Sequence, residues 1–266
     1  SLGKRLINTG AEAACLTETT DIFGDSSGVA LYSLDYDAST APDGTDYSGT
    51  PTNVDFGVGG QINYGARFNG SSSYIDVPSG VRQNNNFTFS FWFNTNSTTL
   101  GQNAVSFRDG KKFQIGLNNS NVGNGSIRVN AGNNTAVDSA TGIFSANTWY
   151  HLAVTQSSTG GVKVYLNGSV IASNSGATGD LVSVTGRDVI GAYYSTSYIG
   201  FFNGKIDQVR MFSKALSSDE VDTLYAETAC VHTSTTDIVN YPTGTTPVAY
   251  YKLDNSSEDY STGGND

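Results

Sequence analysis

Every second residue from Phe87 to Phe93 is a phenylalanine, in the run FTFSFWF. Side chains alternate between faces along a strand, so one face carries four aromatic rings and must be buried against another layer. Thr88, Ser90 and Trp92 take the other face. WYHLAVTQ at 149–156 and VKVYL at 162–166 read as further strands, and the second runs into Asn167-Gly168 before VIAS at 170–173. Asn-Gly between apolar runs is the strongest short hairpin signal, because both residues accept positive φ. Strands also fit 29–34, 64–68, 74–77, 104–107, 112–117, 126–130, 188–192 and 205–212. One stretch reads as helix: Ser217-Ser218-Asp219-Glu220 forms a capping box, and Val221, Leu224 and Tyr225 then share a face. The expectation is all-β: a two-sheet antiparallel jelly-roll β-sandwich with one short C-terminal helix.

Charge narrows the function classes. Charged residues are 14% of the chain and the net charge is −10, which argues against a nucleic-acid surface built from clustered Lys and Arg. No apolar run reaches the roughly 20 residues of a membrane-spanning helix. The five glutamates are Glu12, Glu18, Glu220, Glu227 and Glu258, which leaves 19–219 without one. Sandwich glycosidases commonly work with paired carboxylates, so the sequence points away from an enzyme. Two widely separated histidines, His151 and His232, give no zinc spacing, and no serine carries an elbow motif. Trp149 and His151 read as packing residues.

The chain repeats itself. Ala11-Glu12-Ala13-Ala14-Cys15 matches Ala226-Glu227-Thr228-Ala229-Cys230, Thr20-Asp21-Ile22 matches Thr236-Asp237-Ile238, and VALYSLD at 29–35 matches VAYYKLD at 248–254. The division expected is a preceding tail at 1–19, one whole unit at 20–227, and a linker with the first strand of a following repeat at 228–266. An apolar strand such as 248–254 with no sheet of its own needs a partner. Residues 228–266 are therefore expected to pack head-to-tail against other copies of the chain.

FNGSSSYIDVP at 68–78, FTFSFWF, WYHLAVT, VKVYLNG and FFNGKIDQVRMFSKALS at 201–217 follow one another in an order that resembles LamG-like domains. These are the laminin G and pentraxin-like branch of the concanavalin A-like lectin/glucanase fold, and the resemblance covers about 29–225. Tandem versions resemble those in bacterial surface proteins and phage virion or fibre proteins. The resemblance implies a non-catalytic adhesion or recognition module, with glycans as the leading ligands, located outside the cell, at its surface or on a virion. The alternative is a structural subunit of a filament, fibre or capsid decoration without lectin activity.

Three sets of residues are candidates. Tyr193, Tyr194 and Tyr198, followed by Phe201 and Phe202, concentrate aromatics between two strands. Such rings stack on sugars, serve protein contacts, or plug the rim of the sandwich. Asp207 falls in KIDQVRMF, in line with Val209 and Met211. A carboxylate there needs backbone donors, a basic partner such as Arg210, or a metal. The resemblance implies a structural Ca²⁺ held by Asp207 with backbone carbonyls near Asp35 and Gly70, hard oxygen ligands that suit this ion. Cys15 and Cys230 occupy equivalent repeat positions, and the adjacent termini of such sandwiches make a Cys15–Cys230 disulfide feasible. Pairing with another chain and two free thiols remain the alternatives.

Overall fold

The computed structural model describes residues 19–227, except 42, 109–112, 132–134 and 180–186. Its strands are β1 (Gly28–Tyr32), β2 (Thr50–Thr52), β3 (Asp55–Gly59), β4 (Tyr64–Asn69), β5 (Tyr74–Val77) and β6 (Phe87–Thr95). There follow β7 (Gln102–Arg108), β8 (Phe113–Leu117), β9 (Ile127–Ala131), β10 (Thr135–Asp138), β11 (Tyr150–Ser157) and β12 (Gly161–Leu166). Last come β13 (Ser169–Asn174), β14 (Arg187–Ile190), β15 (Tyr193–Tyr194), β16 (Tyr198–Ile199), β17 (Asn203–Phe212) and helix α1 (Ser218–Tyr225). One sheet runs β13-β12-β11-β6-β17-β4-β3 with β1 also on β17, and the other runs β10-β9-β8-β7-β14-β5-β2. β15 and β16 form a small hairpin of their own. Among the described residues no helix is long and apolar enough to cross a membrane.

The phenylalanine row of β6 is the centre of the sandwich. Phe87, Phe89, Phe91 and Phe93 are all buried. Phe87 meets Phe113 of the facing sheet edge-on at 5.3 Å, and Phe89 meets Phe107 at the same separation. Such pairs contribute about 0.5–1.5 kcal/mol each beyond the area they bury. The opposite face of β6 is covered too, which alternation alone does not reveal. Thr88 Oγ1 donates to the Lys214 carbonyl at 2.8 Å and accepts from the Leu216 amide at 2.9 Å. Trp92 packs on His151 and Tyr225, while Leu216, Val221 and Leu224 fill a second small core under α1.

Local signals explain the ends of these elements. Ser217 caps α1, accepting from the Glu220 amide while the Glu220 carboxylate accepts from the Ser217 amide at 2.9 Å. Asn167 (φ 49°) and Gly168 (φ 80°) make the β12–β13 turn. β17 departs from simple alternation. The ladder with β6 slips between Asp207 and Arg210, where Gln208 has φ 50°. Ile206, Val209 and Met211 therefore enter the main core, and Asp207 lies on the other face, beneath Gly60 and Ile62. The expected alignment of Asp207 with Val209 and Met211 is corrected by this bulge.

Candidate functional site

The outer face of the second sheet carries a groove of about 840 Å³. Alternation builds its floor. Phe113, Ile115 and Leu117 of β8 and Ile127, Val129 and Ala131 of β9 point into the core. Their neighbours Gln114, Gly116, Arg128 and Asn130 are left to line the groove. On this floor Asn130 Nδ2 donates to Gln114 Oε1 at 3.2 Å, Gln114 Nε2 donates to Asn103 Oδ1, and Asn103 Nδ2 donates to the Gly200 carbonyl at 3.1 Å. An amide has two N–H groups and two oxygen lone pairs, so each of these three keeps donor and acceptor capacity for a ligand. Their geometry is set by the ladder, which removes much of the entropy cost of ordering them on binding. Arg128 is held flat beside them by Asp138, through Nε–Oδ1 and Nη2–Oδ2 contacts of 2.6 and 2.7 Å.

Two walls flank the floor. Buried Asn118 holds one: its Nδ2 donates to the carbonyls of Ser97 and Leu100 at 3.0 and 3.1 Å, and its Oδ1 accepts from the Gly125 amide at 2.8 Å. The other is the β15–β16 hairpin, which contributes Tyr193 and Ile199. Gly200 joins this wall to the floor, because its carbonyl also accepts the Asn103 amide at 2.8 Å. It has φ +58°, and a Cβ there would stand 2.3 Å from Asn103 Nδ2, so only glycine fits without moving that side chain.

The three candidate tyrosines do different things. Tyr193 lines the groove. Tyr198 lies behind it, stacked on Tyr74 at 3.7 Å, its hydroxyl donating to Asp76 Oδ1 at 2.7 Å and accepting from Arg187 at 2.9 Å. Burial and the Asp76 hydrogen bond push its pKa up. Tyr194 packs edge-on against Tyr198 at 5.0 Å and under the Arg187 guanidinium at 5.4 Å. Phe202 is wholly buried against Phe68, and Phe201 is half-buried.

Asp207 forms a second polar site away from the groove. Its Oδ2 accepts the Gln61 and Ile62 amides at 2.8 and 2.9 Å, while its Oδ1 is buried without a hydrogen-bond partner. Burial pushes the carboxyl up to about 8, with the nearby Asp35 carboxylate adding to the shift. Gly70 is elsewhere, against Asn203 at the start of β17. The structure thus brings Asp35 and Asp207 together and leaves Gly70 out. Arg210 does not pair with Asp207; its Nη2 donates to Glu227 at 2.5 Å. Two neighbouring carboxylates with an orphan buried oxygen fit a hard cation, which Asp207 and Asp35 would hold. Its other ligands would be backbone oxygens or water, since no group of three acidic, His or Cys side chains that could hold a metal occurs among the described residues. Bound there, it would neutralise the pair and tie the segment just after β1 to β17. Cys15 and Cys230 lie outside the described residues.

Sequence reasoning missed Asn103, Gln114, Gly116, Arg128 and Asn130. Their one local signal is a polar residue or glycine between apolar ones on successive strands, which any solvent-facing strand shares.

A laminin G family model, described as the concanavalin A-like lectin/glucanases superfamily, matches residues 69–222. Comparison with curated proteins gives no match. Among solved structures, domain 4 of AbnA, a GH43 extracellular arabinanase from Geobacillus stearothermophilus in complex with arabinotriose, is 24% identical with a TM-score of 0.54. The match covers 74% of this chain and 97% of that one. The botulinum neurotoxin serotype C1 binding domain is 17% identical over 76% of this chain, with a TM-score of 0.53. A structure of botulinum neurotoxin type C, whose cell entry depends on interaction with two ganglioside molecules, is 15% identical over 78% of the chain, with a TM-score of 0.58. The chain spans 52% of each of these two toxin structures. At these identities the structures share the jelly-roll fold. The family match reaches from the end of β4 into α1, taking in strands of both sheets and more than half of the chain, and on that ground the chain belongs to the laminin G branch of the concanavalin A-like lectin/glucanases superfamily.

Proposed function

We propose that this chain is a non-catalytic glycan-binding module of an extracellular protein, and that the sugar lies in the groove on the second sheet. The observation that carries this reading is the Asn130–Gln114–Asn103–Gly200 ladder. It presents fixed amides with spare donors and acceptors, the chemistry that reads sugar hydroxyls. Tyr193 and Ile199 supply apolar wall for the faces of sugar rings. The arabinotriose and gangliosides named for two structural relatives support the ligand class. No carboxylate or imidazole is among the groove's described lining residues, so the paired acids of a glycosidase have no counterpart there.

The internal repeat favours presentation of this groove several times along one protein, on a cell surface or a virion. Contact between copies through 228–266 belongs to the same proposal. Weak single-site affinity would then be raised by multivalency rather than by a deeper pocket. A glycan array with the whole chain, repeated with Gln114→Ala and Asn130→Ala, tests the reading. Binding that both variants weaken, without release of reducing ends from the bound sugar, is the expected result. Turnover of the sugar, or binding indifferent to both variants, would overturn it.

A further inference from the structure

Gly116 stands in the middle of β8, pairing Asn103 of β7 on one side and Arg128 of β9 on the other. Glycine inside a strand is less stable there than alanine and gives the sheet no side chain to pack. Two structural reasons usually account for one: a left-handed backbone, or a neighbour too close for a Cβ. Neither applies here. Gly116 lies outside the left-handed region, and a Cβ would find Asn103 Oδ1 at 3.5 Å and the carbonyls of Gln102 and Arg128 at 3.7 and 3.9 Å, all ordinary contacts. Gly200, a few ångströms away across Asn103, shows the contrast, since it meets both reasons. What remains to explain Gly116 is the space above it, which lies in the groove floor.

That space has hydrogen-bonding groups on three sides. Asn103 stands on the β7 side, Arg128 on the β9 side, and Gln114 two residues along β8, linked to Asn103. Arg128 is the one charged group among the described lining residues, and Asp138 already holds it bidentately. Asp138 already neutralises that guanidinium, so a carboxylated or sulfated sugar meets no uncompensated positive charge there, whereas neutral hydroxyls can use the remaining lone pairs and N–H groups of the amides as they stand. Neighbouring strands are roughly 4.8 Å apart, a spacing that lets one sugar ring bridge β7 and β9 over a bare β8.

We propose that Gly116 is the seat for one ring of a neutral glycan, flanked by Asn103, Gln114 and Arg128. The inference rests on the glycan-binding reading and adds to it the ligand's charge class and the subsite that selects it. A side chain at 116 fills the seat while improving the strand, so binding and stability should move in opposite directions. This separates a ligand seat from a structural glycine.

The test measures binding and melting temperature for the whole chain and for Gly116→Ala, Gly116→Val and Gly116→Phe. The probes are neutral trisaccharides, including arabinotriose, and sialyllactose. Expected is binding to a neutral probe that falls in steps with side-chain size, with at least a tenfold loss for Gly116→Phe, while melting temperatures hold or rise. Sialyllactose should bind more weakly than the neutral probe. Unchanged affinity in Gly116→Phe, together with loss in Gln114→Ala, would overturn the seat and leave the groove reading standing. Preference for sialyllactose would overturn the charge class. A fall in melting temperature already at Gly116→Ala would return the residue to a structural role. Binding by no probe, or binding indifferent to Gln114→Ala as well, would remove both proposals.

Discussion

His151 is wholly buried between Trp92 and Tyr225, with ring centroids 5.2 and 6.1 Å away, and its Nδ1 has no hydrogen-bond partner. Burial lowers its pKa to about 3, and Arg210 adds to the shift. A base with a depressed folded pKa gives its full stability above the unfolded value of about 6.5 and loses it as pH falls toward 3, because only the unfolded chain takes up the proton. Over that window it should cost the protein a few kcal/mol. His151→Phe keeps an aromatic ring there and removes the titration, so urea midpoints at pH 7 and pH 4.5 should lie closer together than in the parent. Equal acid sensitivity in both proteins would show that the imidazole is not the group responsible. Asp207 is the other buried group with unmet chemistry. If a divalent cation bridges it to Asp35, chelation should lower the melting temperature, because a ligand held only by the folded state stabilises it by mass action. Asp207→Asn keeps an acceptor for the Gln61 and Ile62 amides and should abolish the response to chelator. Superimposable melting curves with and without chelator would exclude the ion.

The β15–β16 hairpin links the tyrosine cluster to the groove. Its Tyr198 hydroxyl joins Asp76 of β5 to Arg187 of β14, and Gly200, just past its last strand, seats Asn103. Tyr198→Phe keeps the stack on Tyr74 but removes both hydroxyl contacts. A hydrogen bond to a charged group contributes about 1.5–3 kcal/mol. A drop in melting temperature is therefore expected, accompanied by a severalfold loss of glycan affinity as Tyr193 and Gly200 loosen. Tyr194→Phe should change neither, and an affinity loss confined to Tyr194→Phe would place the sugar on the outer rings instead. Legibility in the sequence follows the range of the forces involved. The Phe87–Phe93 row, the Asn167-Gly168 turn and the Ser217 cap rest on neighbours a few residues apart, and all three stand as read. β2, β3 and β10 are short and carry Pro, Gly or Asp, residues that strands disfavour, so pairing rather than propensity makes them strands. The bulge at Gln208 shows no local sign, and it alone reverses the face of Asp207. The groove was least legible, because Asn103, Gln114 and Asn130 become one ladder only when β7, β8 and β9 lie side by side. Residue type alone singles out Tyr193; that it lines this groove, and beside which residues, depends on the topology.

At the scale of the whole unit, the segment before β1 and the segment after α1 meet on one side chain. Arg210, buried in β17, donates through Nη1 to the Thr19 carbonyl at 2.7 Å and through Nη2 to Glu227 at 2.5 Å. Removing one partner of a buried ion pair strands the other charge and costs about 3–5 kcal/mol, so this contact holds both ends of the sandwich in one place. Cys15 lies four residues before Thr19 and Cys230 three after Glu227. An extended chain covers roughly 3.3–3.6 Å per residue, so the two cysteines are within reach of each other once the ends are pinned. Disulfide geometry needs Cα atoms roughly 4.4–6.8 Å apart, well inside that reach. We expect a Cys15–Cys230 bond within one chain under oxidising conditions. Non-reducing electrophoresis should show a fast-migrating monomer, and peptide mapping should recover the 15–230 cross-link. Closing so long a loop should stabilise the fold by roughly 4–5 kcal/mol, seen as a lower melting temperature in reductant or in Cys15→Ser. Arg210→Leu releases both ends and strands buried Glu227, so it should lower the melting temperature and slow closure of the bond during refolding. Covalent dimers or ladders on the same gel would mean instead that each cysteine meets its counterpart on another copy, and would make the repeat a cross-linked array rather than a string of self-closed units.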